Sequence, residues 1–102
     1  MFDKLQQAQQ KSEEIKRKLD SIEVEGEAGN GLVKVVANAN RKIKDVLISD
    51  TLMTLDRKEE LQDLIQIAME KAMKTADDIS QSEMAALMST MMPGGLGSLF
   101  GK

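Results

Sequence analysis

The chain has 102 residues, a formal net charge of −3 and 2% aromatic content, and it lacks both cysteine and histidine. That length supports one domain, in which folding hides only about 60–65% of the unfolded surface. The missing residue types exclude disulfides, thiolate chemistry, imidazole bases and the usual zinc ligands, and the net charge is opposite to that of many nucleic-acid binders.

Phe2 and Phe100 are the two aromatic residues, so the core must be built from Leu, Ile, Val, Met and Ala. No apolar run approaches the length of a membrane span and no charged-then-apolar leader is visible, which makes the cytoplasm the expected compartment.

From Phe2 to Ile22, the residues Leu5, Ala8, Ser12, Ile15, Leu19 and Ile22 recur three and four apart, the spacing of one amphipathic helix. With Leu5 on the seam, Lys4, Lys11 and Lys18 fall on one flanking row, about 10.5 Å apart along the axis. Lys16 and Arg17 complete the basic set of this segment. Residues 1–20 carry five basic against four acidic side chains, and residues 57–92 four against seven. Positive potential is therefore expected on the first helix and at the hairpin tip.

Ile22-Glu23-Val24-Glu25 alternates with period two, which predicts that the helix gives way to a first strand near Ser21 or Ile22. Gly26-Glu27-Ala28-Gly29-Asn30-Gly31 then leads into a second strand, Leu32 to Ala37. Turn geometry is the expected role of these glycines, with glycine or Asn30 at positive φ. A dinucleotide-binding loop would need its glycine turn to follow a strand and open a helix, with a different spacing. A third strand, Lys42 to Ile48, pairs with the second around Asn40-Arg41. This register sets Val33, Val35 and Ala37 opposite Ile48, Val46 and Lys44 on the side that meets the helices. The other side carries Leu32, Lys34, Val36 and Asn38 beside Ile43, Asp45 and Leu47, too apolar for simple exposure. Leu32, Val36, Ile43 and Leu47 are accordingly candidates for a subunit interface.

After a loop through Ser49, Asp50 and Thr54, Asp56 is placed to cap a second helix, with Glu59 three residues on as an acidic capping box. No glycine or proline follows until Pro93. The apolar row is Leu61, Ile65, Ala68, Ala72, Ala76 and Ile79, broadened by Leu64, Met69 and Met73; Leu61, Ile65, Ala68 and Ala72 are its leading core candidates. Met84, Leu87, Met88 and Met91 lie further along. A helix of about 34 residues is roughly 51 Å long, against about 30–35 Å for a compact domain of this size, so one end must protrude or pair with a partner. A single domain is expected over residues 1–92. Pro93 to Lys102, with Leu96, Leu99 and Phe100 among glycines, has the composition of a flexible tail.

The acidic pairs Glu13-Glu14, Glu59-Glu60 and Asp77-Asp78 diverge by about 100° around a helix and cannot converge on one atom. Serine and threonine have no histidine to activate them, and nucleophile elbows, EF-hand, zinc-finger and Walker patterns are absent. The chain reads as a non-enzyme with no cofactor, metal or small-molecule substrate. Phosphate binding asks only for cations spaced along a face. Lys4, Lys11, Lys16, Arg17 and Lys18 meet that need on the first helix. Arg41, Lys42 and Lys44 form a second set near the hairpin tip, and Lys71 and Lys74 a weaker third on the long helix. The same side chains also fit ordinary solvated lysines that border a seam and pair with acids. Composition leaves both readings open.

The layout resembles the YbaB/EbfC family of small bacterial nucleoid-associated proteins over nearly the whole chain. The resemblance is carried by Met1-Phe2 and the Gln-rich Leu5-Gln6-Gln7-Ala8-Gln9-Gln10-Lys11, and by Val24-Glu25-Gly26-Glu27-Ala28-Gly29-Asn30-Gly31-Leu32-Val33-Lys34-Val35. Val46-Leu47-Ile48-Ser49, the helix with Leu61, Asp63, Leu64, Ala68 and Ala72, and the Met-Pro-Gly-rich end add to it. The resemblance implies an α+β fold: an α-β-β-β-α protomer whose small antiparallel sheet is flanked by two long helices, assembled as a tweezer-like homodimer. It further implies binding to duplex DNA with little or modest sequence preference, on the nucleoid, with effects on chromosome organisation and gene expression. Lys4, Lys11, Lys16, Arg17 and Lys18 are the basic positions carried over, with Lys71 and Lys74 as lesser ones. A second reading is a protein-interaction adaptor in DNA maintenance that uses the Met-rich end of the second helix and the apolar tail.

Overall fold

Helical and strand periodicities alternate along the sequence, and the computed structural model, which describes residues 2–91, follows them in order. Helix α1 spans Phe2–Ser21, strands β1, β2 and β3 span Glu23–Ala28, Val33–Asn38 and Ile43–Ile48, and helix α2 spans Lys58–Met91. Two short 3-10 turns, Asp50–Leu52 and Leu55–Arg57, join β3 to α2. The expected tail over 93–102 lies outside the described residues.

α1 stops where Ser21 Oγ donates to the Lys18 carbonyl at 2.7 Å, and the Ile22 amide closes on Leu19. The sheet is antiparallel in the order β1-β2-β3. Its buried side carries Val24, Gly26 and Ala28 from β1, paired with Ala37, Val35 and Val33 from β2. α2 lies across these two strands and leaves β3 largely uncovered. The helix residues at the contact, Ala68, Ala72 and Ala76, are fully buried, as are Val33, Val35, Ala37 and Leu52. Leu61, Leu64, Ile65, Met69 and Met73 pack around this centre.

Four expectations change. Gly26 is not a turn residue; it sits within β1, where an added Cβ would run into the Ala68 carbonyl oxygen and crowd the Ala72 amide. Turn geometry belongs to Gly29, Asn30 and Gly31, all at positive φ, with the Leu32 amide donating back to Gly29. Leu32 leaves the outer side of the sheet and packs against the core. In the β2–β3 register, Val33 and Val35 pair with Ile48 and Val46 as expected, but a bulge between Val36 and Ala37 gives Ala37 the partner Ile43 in place of Lys44. Asp56 does not cap α2, because Leu55–Arg57 forms a separate turn and the helix opens at Lys58.

α2 overhangs the sheet, and its far part runs beside α1. Along α1, among the residues from Asp3 to Ser21, only Leu19 is buried; Ala8, Lys11 and Ile15 are half-buried, and Leu5 is 63% exposed. The seam read from the sequence is therefore occupied at its sheet end and open at the other.

Candidate nucleic-acid interface

Asn38, the last residue of β2, builds the turn that presents one set of cations. Its side chain is buried and accepts from the amides of Asn40 at 2.9 Å and Lys42 at 3.1 Å. Its backbone amide donates to the Lys42 carbonyl, and its carbonyl accepts from Arg41. A buried amide oxygen that accepts two backbone N–H groups fixes a tight turn, in which Arg41 takes a φ of 67°. The next residues dock this turn on α1. The Ala39 amide donates to the carbonyls of Leu19 and Ile22, and Asn40 Nδ2 donates to the Lys16 carbonyl at 2.9 Å and to Asp20 Oδ1 at 2.6 Å.

Two basic sets that are far apart in the sequence thus meet at one corner. Asn40 docks the turn that carries Arg41 and Lys42 on the Lys16 carbonyl, which brings the backbone of the last turns of α1, with Lys16, Arg17 and Lys18 spread around the helix, next to that turn, where the helix C-terminus also favours positive charge. Two of these cations are held by α2: Lys18 Nζ lies 2.8 Å from Glu83 and Arg41 Nη1 lies 3.2 Å from Asp77. Lys16, Arg17 and Lys42 make no ion pair among the described residues.

The remaining candidates fall elsewhere. Lys11 is half-buried and Lys18 turns to α2, so the row Lys4, Lys11 and Lys18 borders the groove between the helices, with exposed Lys4 at its outer end. Lys44 is exposed at the bulge of β3. Lys71 sits near the other end of the sheet, where its Nζ donates to the Glu27 carbonyl at 3.1 Å beside the Gly29-Asn30-Gly31 turn. Lys74 pairs with Asp78 within its own helix.

The outer side of the sheet has the opposite sign at β1, where Glu23, Glu25 and Glu27 are all exposed. Lys34 lies 3.4 Å from Glu27 and 3.6 Å from Glu25. A hydrogen bond to Glu27, then the charges of both carboxylates, raise its pKa above the usual lysine value. That side repels phosphate. Sequence reasoning located every cation at the corner but missed that Asn38 and Asn40 bring the two segments together; the signal was an Asn-Ala-Asn run at the end of a mostly apolar strand.

Among the described residues there is no group of three potential metal ligands, and no helix is long and apolar enough to cross a membrane. A model of the YbaB/EbfC DNA-binding family matches residues 1–91. A nucleoid-associated protein of Flavobacterium johnsoniae is 34% identical, with 98% of this chain and 94% of that one covered. One from Neisseria meningitidis is 38% identical, with 88% and 86% covered. In structure, the chain is similar to an uncharacterized protein from Helicobacter pylori, with a TM-score of 0.71 and 22% identity over 76% of this chain and 82% of that one. This likeness concerns the fold.

Proposed function

The chain belongs to the YbaB/EbfC DNA-binding family, and on that footing we propose that it is a nucleoid-associated protein that binds duplex DNA as a homodimer, with little sequence preference. Its single domain, residues 1–92, carries both binding and assembly, and its role is in chromosome organisation and gene expression. The observation that carries this reading beyond family membership is the corner where Lys16, Arg17 and Lys18 meet Arg41 and Lys42. Cations on a helix end and a turn reach phosphate oxygens without reading base edges, which gives affinity with little sequence information.

The uncovered strand supports the homodimer. Ile43, Val46 and Leu47 of β3 are 41%, 38% and 49% exposed, and Met53 and Leu55 just beyond it are 63% and 94% exposed. An open edge with this much apolar surface calls for a cover, and a second copy supplies one while doubling the number of basic corners. The test is fluorescence anisotropy of a labelled random-sequence duplex across a salt series. Log affinity should fall linearly with log salt, with a slope equivalent to several released counterions. No binding at low salt would overturn the reading. The adaptor alternative draws on Met84 and Met88 of α2, which are 41% and 49% exposed. It would take first place if truncation after Met92 removed nuclease-resistant partners in a pull-down.

A further inference from the structure

The two ion pairs at the basic corner differ in kind from those elsewhere in the chain. Arg57–Glu60 and Lys74–Asp78 join neighbours within about one turn of chain, and the pairs of Lys34 with Glu25 and Glu27 join adjacent strands of one hairpin. Lys18–Glu83 and Arg41–Asp77 instead run from two other elements, α1 and the β2–β3 turn, to one stretch of α2. Asp77 and Glu83 are separated by roughly 9 Å along the helix axis. The cations are more than half exposed at their side chains, 57% for Lys18 and 63% for Arg41, whereas Glu83 is only 25% exposed.

From this arrangement we propose that Asp77 and Glu83 are positioning residues that act as internal competitors for phosphate, holding Arg41 and Lys18 out of the DNA-contacting set and so setting both the affinity and its salt dependence. The inference rests on the DNA-binding reading above. Both pairs keep the cation exposed to water and salt, so each is of modest strength and its carboxylate competes closely with a phosphate oxygen for the same donor. While a cation stays with its carboxylate it neutralises no phosphate and releases no counterion from DNA. Lys16, Arg17 and Lys42, unpaired among the described residues, then carry the binding, which reconciles a phosphate-binding corner with a chain of net charge −3.

The experiment compares wild type with Asp77→Asn/Glu83→Gln in anisotropy titrations of a random-sequence duplex between about 50 and about 200 mM salt. The control is Glu59→Gln/Asp63→Asn, which removes the same formal charge from the other end of α2, where neither side chain makes an ion pair among the described residues. The single variants D77N and E83Q are titrated alongside, and circular dichroism establishes that each is folded. Two freed cations should steepen the slope of log affinity against log salt by about 1.8, and this makes the advantage over the control about tenfold larger at the low-salt end than at the high-salt end. Each single variant should give about half of the slope change. If wild type binds and D77N/E83Q matches the control, the internal competition is overturned while the DNA-binding reading stands. If D77N/E83Q binds more weakly than the control, the pairs present the cations to DNA and the inference is equally overturned. No binding by any of the proteins at low salt would overturn both.

Discussion

Gly26 in the middle of β1 lies against the backbone of Ala68 in α2, so closely that a methyl group at position 26 would collide with the Ala68 carbonyl oxygen. This contact explains why the buried row of α2 continues through Ala72 and Ala76, since only small side chains allow a helix to lie this near a strand. Replacing Gly26 with alanine should force α2 away from β1. Overpacking of this kind costs about 2–3 kcal/mol, a fall in melting temperature on the order of 10–20 °C for a domain of this size. Thermal unfolding followed by circular dichroism measures it, and an unchanged midpoint would show that the helix is free to shift.

Much of the fold was legible because it follows local periodicity. Period two marked the strands, steps of three and four marked the helices, and Gly29, Asn30 and Gly31 marked a turn through their need for positive φ. What escaped were features decided by the tertiary structure. The role of Gly26 depends on a helix more than 40 residues away. The bulge at Ala37 follows from the tight turn that Asn38 builds, which shortens the pairing by one residue. The helix start lies beyond Asp56 because the connection that buries Leu52 is folded into two separate turns. At the candidate site, composition supplied the cations but not their neighbours, and the pairing of Lys18 with Glu83 crosses from one helix to the other.

The corner should bind DNA through additive phosphate contacts. Lys16→Glu, Arg17→Glu and Lys42→Glu combined are expected to reduce affinity for a random duplex by about two orders of magnitude at low salt, on the order of half a decade or more per lost contact. Lys74→Gln should change it less than about threefold, because Lys74 already serves Asp78. Anisotropy titrations measure both. Equal effects from the two substitutions would place the contact surface away from the corner.

A pH prediction follows from the entry to α2. Arg57 donates to Glu60 at 2.8 and 3.1 Å and to the Thr51 carbonyl at 2.8 Å. Hydrogen bonding from Arg57, aided by its charge, holds the Glu60 carboxyl below the usual glutamate value, and hydrogen bonds from the Thr54 hydroxyl and a backbone amide do the same for Asp56. Lowered folded values mean that these carboxylates contribute stability above their unfolded pKa and lose it as pH falls through the folded pKa. Lys34 has the opposite sign: raised by Glu27 and Glu25, it contributes fully below its unfolded pKa and loses that contribution as pH rises through the folded value. Arg57→Gln should return Glu60 to the ordinary range and leave Lys34 unmoved. An NMR titration of the side-chain carboxyl carbons reads this directly, and a still-depressed Glu60 in the variant would assign the shift to another neighbour.

Assembly is tested at Leu47. It pairs with Lys34 across the sheet and is 49% exposed on a strand that α2 does not cover, so it contributes little to the protomer core. A charge there should leave the protomer folded but weaken a second copy's hold on β3, because taking a carboxylate out of water into an apolar interface is costly even opposite Lys34, which already serves Glu25 and Glu27. Leu47→Glu is expected to raise the dimer dissociation constant at least about tenfold, or about 1.4 kcal/mol. Sedimentation velocity across a concentration series measures it. DNA affinity should fall in parallel, by up to about two orders of magnitude, since a monomer presents one corner and loses the advantage of a linked second contact. If the variant sediments as wild type does, the exposed face of β3 is not what joins the copies. If it becomes monomeric while DNA affinity stays the same, one corner is sufficient for binding and the dimer serves to bridge separate duplexes.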